Sequence, residues 1–217
     1  MLSPRAIAQV DQFLPEIDLT YKLTPEVRAS FQAKSTREGG EPTQAEIGPS
    51  IGLYLKPLLK LKDVTLFDLD DAKSQPMVFA IGYRYLPSPG APSVNRMEPT
   101  LTYHCPAVRF LLSDKNRADL DWTNGKFAWR YRNRVQIERR LTVRGYHPAP
   151  YASAEFFYQS KYAKWSDTAL YAGCLFPARK RLEFDTYYEH QNNTGKRPNQ
   201  RLNQLGLKLL VDLSRPR

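Results

Sequence analysis

The chain has 217 residues, 41% of them hydrophobic, and a formal net charge of +10. No apolar run approaches the roughly 18–20 residues of a spanning helix, so the sequence excludes a helical membrane protein. The positive charges are interleaved along predicted strands instead of gathered in a patch or tail, which argues against nucleic-acid binding. The length fits one domain with a sizeable interior, and no linker divides it.

The N-terminal segment contains Ala6-Ile7-Ala8 followed by Gln9, a pattern typical of the end of a secretory signal. The charged and apolar regions that should precede such a site are absent. Two interpretations stay open, a signal-peptide remnant over residues 1–8 and a chance AxA pattern. On the first interpretation, residues 9–217 form a single β-barrel domain.

From Phe13 onward, apolar and polar residues alternate with period two, which is the strand period. About eleven strands are predicted on this basis, near residues 13–23, 27–34, 47–55, 77–85, 98–104, 108–122, 126–143, 151–159, 168–176, 182–189 and 205–213. Bacterial single-chain barrels have even strand numbers. One strand is therefore expected to be missing from the count, and residues 61–69, within the open segment 58–76, are the candidate.

The strand at residues 126–143 has the sharpest alternation in the chain. Its odd positions include Phe127, Trp129 and Val135, and its even positions include Arg130 and Arg132. An unpaired charge in a dry core costs several kcal/mol or more, so one face is expected to meet an apolar medium and the other a wet one.

The preceding strand gives an independent check on these faces. If the TNGK segment at residues 123–126 closes a hairpin, Trp122 pairs with Phe127, and Asp119 pairs with Arg130. Apolar side chains then meet apolar ones, and an acid meets a base, in a single register.

The same alternation would suit a lipocalin-like barrel with its apolar face around a ligand, so a soluble barrel is kept as an alternative. About eight strands close a lipocalin, whereas this chain offers more and longer ones. Aromatic residues at the ends of apolar strand faces favour a membrane barrel, because such barrels carry aromatic girdles at both interfaces. The predicted interface aromatics are Tyr83, Tyr85, Trp122, Trp129, Tyr158, Trp165 and Tyr188.

Three segments of the chain are similar to known sequences: residues 110–139, residues 150–165 (PYASAEFFYQSKYAKW) and residues 176–207. They resemble an uncharacterised family of predicted bacterial outer-membrane barrels, filed as a domain of unknown function with the number 2490. The RNR segment at residues 132–134 and the YYEHQN segment carry the resemblance most specifically, and residues 12–25 and 55–59 fit it too. The resemblance implies an outer-membrane location and supplies no established activity.

The charged residues of the polar strand faces are predicted to line the lumen of the barrel. They are Arg117, Asp119, Arg130, Arg132, Arg134, Glu138, Glu155, Glu183 and Asp185. One interpretation is a salt-bridged interior that only holds the wall together, and the other is a pore whose excess positive charge favours anions. The first is favoured, because about 12 strands leave a narrow interior that long side chains can fill.

Residues for catalysis or metal binding give weaker patterns. His104, His147 and His190 are scattered, and no HxxxH, CxxC or GxSxG spacing exists, so we predict no metal, no cofactor and no enzymatic activity. A barrel lipid hydrolase is the alternative, with His190 beside Ser153, Ser160 or Ser166. Whether Cys105 and Cys174 form a disulfide is left open.

These observations predict an all-β protein, a single antiparallel transmembrane β-barrel of 10–12 strands with 12 favoured. The predicted location is the bacterial outer membrane, after secretion through the inner membrane. The expected partners are membrane lipid and the barrel-assembly and periplasmic chaperone machinery, without nucleic acid. The expected role is that of a structural envelope protein or a small anion-preferring, porin-like channel.

Overall fold

The structure is a computed structural model that describes residues 8–55, 73, 75–107, 109–179, 181–195 and 199–214. The strand candidate at residues 61–69 and most of the proposed signal remnant lie outside these residues. The described strands are β1 (Ala8–Lys22), β2 (Val27–Glu38), β3 (Glu41–Leu55), β4 (Met77–Ser88), β5 (Ala91–Ala107), β6 (Phe110–Thr123), β7 (Lys126–Glu138), β8 (Ala149–Gln159), β9 (Lys164–Arg179), β10 (Leu182–Asn193) and β11 (Gln200–Asp212). None of the described segments is a helix long and apolar enough to cross a membrane.

The strands form one closed barrel in which neighbours in sequence pair antiparallel. The barrel closes between β1 and β11, which pair parallel from Ala8 opposite Gln200 to Thr20 opposite Asp212. A closed circuit with an odd number of strands must contain such a parallel pair. The start of β1 and the end of β11 therefore lie at opposite ends of the barrel.

The predicted all-β barrel is confirmed, with eleven described strands inside the predicted range and one fewer than the favoured number. Its pairing is antiparallel except between β1 and β11. Strands β3 and β4 pair directly, with Ile51 opposite Ile81, so no strand separates them in the sheet. We call the end that holds the turns at residues 39–40, 89–90 and 124–125 the hairpin end. The end that holds residues 23–26 and 139–148 is called the far end.

The register predicted for the β6–β7 hairpin is confirmed, because Trp122 lies opposite Phe127 and Asp119 opposite Arg130. Asn124 and Gly125 form its turn with φ angles of 48° and 75°, in the left-handed region that suits these residue types. The predicted length of β7 is wrong, since the strand ends at Glu138 and not at residue 143.

The reason for the early end of β7 lies in the opposite arm, where Pro148 and Pro150 have no N–H to donate back to the strand. The two arms meet in a second turn, in which Arg144 and Gly145 have φ angles of 51° and 80°. Backbone pairing between the two arms nevertheless continues into this segment. The Arg139 N–H donates to the Pro150 carbonyl, and Val143 and Tyr146 form an isolated bridge. The apolar alternation beyond Glu138 thus belongs to a narrow extension of the β7–β8 hairpin.

The two faces of the barrel wall differ sharply in chemistry. Large apolar side chains point outward and stay exposed, such as Val135 at 45% and Leu205 at 57%. Charged side chains point inward and are buried, such as Asp119 at 0% and Glu155 at 4%. A soluble ligand-binding barrel needs the opposite arrangement, with its apolar face inside.

Two glycines in the wall make room for tyrosine rings inside the barrel. A Cβ on Gly206 would lie 2.1 Å from the Tyr187 ring, and a Cβ on Gly173 would lie 2.5 Å from the Tyr151 ring. Each ring thus lies directly on the backbone of a neighbouring strand. This packing fills part of the interior with aromatic surface beside the charged side chains.

Candidate functional site

Asp119 on β6 is the centre of the charged interior. Arg130 lies opposite it on β7 and donates to Oδ2 through Nη2 at 2.6 Å and Nε at 2.9 Å. Arg117, two residues away on the same face of β6, places its Nε 2.7 Å from Oδ1. A buried carboxylate in contact with two guanidinium groups is compensated for the loss of water.

Glu155 on β8 forms a second centre next to the first. Arg132 Nε donates to Oε1 at 2.6 Å, and Arg134 Nη2 donates to Oε2 at 2.6 Å. The Tyr171 hydroxyl donates to the same Oε2 at 2.7 Å, while the Arg134 guanidinium lies 4.0 Å from the centre of the Tyr171 ring. Arg132 also lies 3.8 Å from Asp119, so the two centres form one continuous network.

The remaining residues predicted for the lumen lie nearer the far end. Glu138 is buried and contacts Lys73 Nζ at 2.8 Å, which ties the chain before β4 to the interior. Asp185 accepts a hydrogen bond of 2.9 Å from the Tyr151 hydroxyl. The strand alternation of β10 puts Glu183 on the same inward face as Asp185.

The sequence analysis missed a further part of the network, on β4 and β5. Arg96 donates to Asp121 at 2.6 Å, and Arg84 lies 3.6 Å from Glu98. These side chains occupy inward positions of two strands whose other inward side chains are mostly small or uncharged. Alternation alone assigns the face of each residue, but it does not show which inward charges pair across adjacent strands.

A second missed ion-pair cluster lies where the barrel closes. Lys208 on β11 contacts Glu16 at 2.8 Å and Asp18 at 2.9 Å, both on β1. The parallel register sets Glu16 opposite Lys208. No local sequence pattern announces this pairing, because it depends on which strands close the barrel.

Two cavities of about 400 Å³ and 160 Å³ remain between the interior side chains. The larger reaches Gln44 near the hairpin end, and the smaller reaches Tyr151 near the far end. Both are lined by Lys34, Arg132 and Arg134. Within the described residues, no carboxylate lies within 4.0 Å of Lys34 Nζ or Lys115 Nζ, although both ammonium groups line the smaller cavity.

The predicted interface aromatics all belong to the hairpin end of the barrel, where they lie on the outer face. Trp129 stacks on Tyr158 with ring centres 5.5 Å apart, and Trp165 packs edge-on against Tyr158 at 5.8 Å. Tyr83 and Tyr188 are 40% and 48% exposed. A second set of exposed aromatics near the far end was not predicted and consists of Tyr21, Phe79, Tyr103, Phe110 and Phe184.

The structure does not bring His190 together with the serines named for a hydrolase. His190 lies on the outer face, where its Nδ1 is 2.8 Å from Asn203 Oδ1. Ser153 is buried on the inner face, and the Ser160 hydroxyl accepts a hydrogen bond from the Trp129 N–H. Cys105 and Cys174 are free thiols. In the described part of the chain, no group of three or more His, Cys, Asp or Glu residues could hold a metal ion.

Comparison with known families gives one match. The model of a family described as a protein of unknown function, DUF2490, matches residues 11–202, which span all eleven strands at least in part. No curated protein matches the sequence.

Proposed function

The chain belongs to the DUF2490 family of proteins of unknown function, and we propose that it is an integral β-barrel of a bacterial outer membrane. The observation that carries this proposal is the orientation of the two faces, with large apolar side chains exposed outside and charged networks buried inside. Soluble monomers rarely expose contiguous apolar patches of more than a few hundred Å². A hydrocarbon environment removes this cost for the outward apolar side chains.

The dimensions of the outer face support the same proposal. Phe127 and Ile137, both exposed on β7, bound its apolar face and are ten residues apart. At about 3.3 Å per residue and a tilt of ~40°, this distance corresponds to ~25 Å along the barrel axis. That height equals the apolar band of outer-membrane barrels, and exposed aromatics lie near both of its ends.

We propose a structural envelope role for this barrel. Its arginines are held by carboxylates in the networks around Asp119 and Glu155, and these side chains project into the lumen. Fixed ion pairs of this kind stabilise the wall of a small barrel and leave little room for a solute. In this setting, the periplasmic chaperones and the barrel-assembly machinery are the partners that insert the chain.

Insertion is tested with the full chain refolded into detergent and into lipid vesicles. We expect a folded form that migrates faster than the boiled form on a gel and stays in the vesicle pellet after an alkaline carbonate wash. A monodisperse protein that is soluble without detergent and leaves the vesicles in carbonate would contradict the proposal.

A small anion-preferring channel is the second candidate, and the two lysines without a close carboxylate favour it. Lys34 and Lys115 line the cavity beside the arginines, and fixed cationic side chains lower the entry barrier for anions. Conductance in planar bilayers under a salt gradient tests it. If the barrel is such a channel, its reversal potential should have the sign of anion selectivity. The magnitude of this potential should fall in Lys115→Gln and stay unchanged in Lys126→Gln. Absence of conductance leaves the structural role as the function.

A further inference from the structure

A row of polar side chains crosses the otherwise apolar outer face. Asn116 lies opposite Asn133, and beyond Phe156 on β8 the row continues through Thr168, Asn192 and Arg201. Because barrel strands tilt by about 35–45°, such a row climbs along the barrel. Asn133 is the eighth residue of β7, whereas Arg201 is the second residue of β11, so the row rises to the hairpin end.

A groove of about 400 Å³ lies along the upper part of this row. Tyr131, Phe156 and Trp165 supply aromatic walls, and Thr168 and Asn192 supply polar groups. The Trp165 ring is held against Tyr131, with ring centres 6.0 Å apart. The groove thus combines an aromatic wall with hydrogen-bonding groups toward the hairpin end.

The lower end of the groove is formed by Asn133, whose amide group is directed toward β6. Its Nδ2 donates to Asp114 Oδ1 at 2.6 Å and to Asn116 Oδ1 at 3.1 Å. Both N–H donors of Asn133 are therefore engaged away from the groove. What remains at this depth is the apolar surface of Tyr131 and Phe156.

The upper end of the groove is closed by Ser166 and Thr194. The Thr194 hydroxyl donates to the Ser166 carbonyl at 2.7 Å. The Ser166 side chain is 1% exposed, and its hydroxyl has no hydrogen-bond partner among the described residues. Ser166 therefore forms a closed end of the groove, with its hydroxyl buried.

Two cationic side chains lie at the mouth of the groove. Lys164 Nζ donates to the Thr194 carbonyl at 3.2 Å, and Arg201, next to Asn192 in the register, is exposed. From the mouth downward, the order is therefore positive charge, hydrogen-bonding groups, and aromatic wall.

We propose that this groove binds one anionic phospholipid. Lys164 and Arg201 contact its phosphate, Thr168 and Asn192 donate to its ester carbonyls, and one acyl chain lies against Phe156 and Trp165. Cationic side chains near an anionic lipid surface contribute about 1 kcal/mol each. This lipid site rests on the proposed membrane location, since a barrel outside a membrane would not meet the ligand in this orientation.

The test is native mass spectrometry of the full barrel in detergent, with phosphatidylglycerol and phosphatidylcholine of identical acyl chains in equal amounts. We expect one retained lipid per barrel and a preference for phosphatidylglycerol. Arg201→Gln should lower this preference about fivefold, the factor that corresponds to one cationic contact. Its control is Lys126→Gln, a loss of charge at the same end of the barrel outside the groove.

A second variant tests the hydrogen-bonding part of the site without changing charge. Thr168→Val keeps the side-chain shape and should lower retention of both lipids about fivefold, the value of one hydrogen bond. The matched control is Thr186→Val, on the outer face of β10 away from the groove.

Three results would overturn the lipid site. They are equal retention of the two lipids by the wild-type chain, an unchanged preference in Arg201→Gln, and an equal loss of preference in Lys126→Gln. A dimer that dissociates in Thr168→Val would instead assign the groove to a second copy of the chain. A barrel that inserts into vesicles but shows any of these results refutes the lipid site alone, whereas failure to insert refutes the membrane proposal itself.

Discussion

Asp119 and Arg130 face each other across the β6–β7 hairpin, with Nη2 of the arginine 2.6 Å from the carboxylate. Asp119 is fully buried, and Arg117 contacts its other oxygen at 2.7 Å. This pair lies on the inner face one position away from Leu120 and Trp129, which face outward. A single hairpin register therefore determines both the charged lumen and the apolar exterior.

Loss of one arginine from this pair should destabilise the barrel. Arg130→Leu is expected to lower the free energy of unfolding by about 1–3 kcal/mol, because it removes two hydrogen bonds from a buried carboxylate. Urea unfolding in vesicles measures the effect. Lys126→Leu, on the same strand near the turn, should change stability by less than about 0.5 kcal/mol. Equal effects of the two variants would refute the buried pair.

Replacement by asparagine of two aspartates on opposite faces of β6 should change the stability of the barrel in opposite directions. Asp119→Asn leaves several guanidinium groups poorly compensated and should cost about 3–5 kcal/mol. Asp114 lies on the outer face and accepts a hydrogen bond from Asn133. An asparagine at this position can still accept that hydrogen bond, and it removes a charge that would lie against lipid. Asp114→Asn should therefore raise stability in vesicles by about 1 kcal/mol.

The comparison of these aspartates is made by urea unfolding of both variants in the same vesicles. A cost for Asp114→Asn as large as that for Asp119→Asn would mean that the outer face is not in contact with hydrocarbon.

The contact between Gly206 and Tyr187 predicts a steric effect inside the barrel. Gly206→Ala puts a methyl group where the ring of Tyr187 lies, so the ring must move, at a cost of about 1–3 kcal/mol. Gly82→Ala is the control, since its nearest neighbour would be 3.2 Å away, at the Ser50 side chain.

A double-mutant cycle measured by thermal unfolding separates this contact from a general effect of alanine. In the Tyr187→Ala background, Gly206→Ala should cost less than in the wild type. The same cost in both backgrounds would show that Tyr187 does not pack on this glycine.

The β6–β7 hairpin shows how much of the fold the sequence predicts. Alternation over residues 108–143 assigned the face of Asp119 and Arg130, and Asn124-Gly125 fixed the register. The predicted end of β7 was wrong because alternation continues past Glu138, whereas Pro148 and Pro150 on the opposite arm cannot donate to the ladder. Local pattern thus predicts faces well and strand ends poorly.

Strand number and long-range partners could not be predicted in the same way. Whether the strand number is odd or even depends on whether β1 pairs with β11 in parallel or antiparallel, and no local sequence pattern in either strand indicates which. The hydrogen bond from Arg132 to Glu155 was not predicted, because it joins residues that are not opposite each other in the β7–β8 register. Such choices depend on side-chain geometry across the closed lumen.

The most direct measurement of the central claim is the labelling of single cysteines at two positions of β7, in a chain whose Cys105 and Cys174 are replaced by alanine. Val135→Cys, on the outer face, should react in vesicles with a lipid-phase reagent and not with a charged, water-soluble one. Arg130→Cys, on the inner face, should show the reverse. Labelling of position 130 from the lipid phase, with position 135 accessible only from water, would contradict the account.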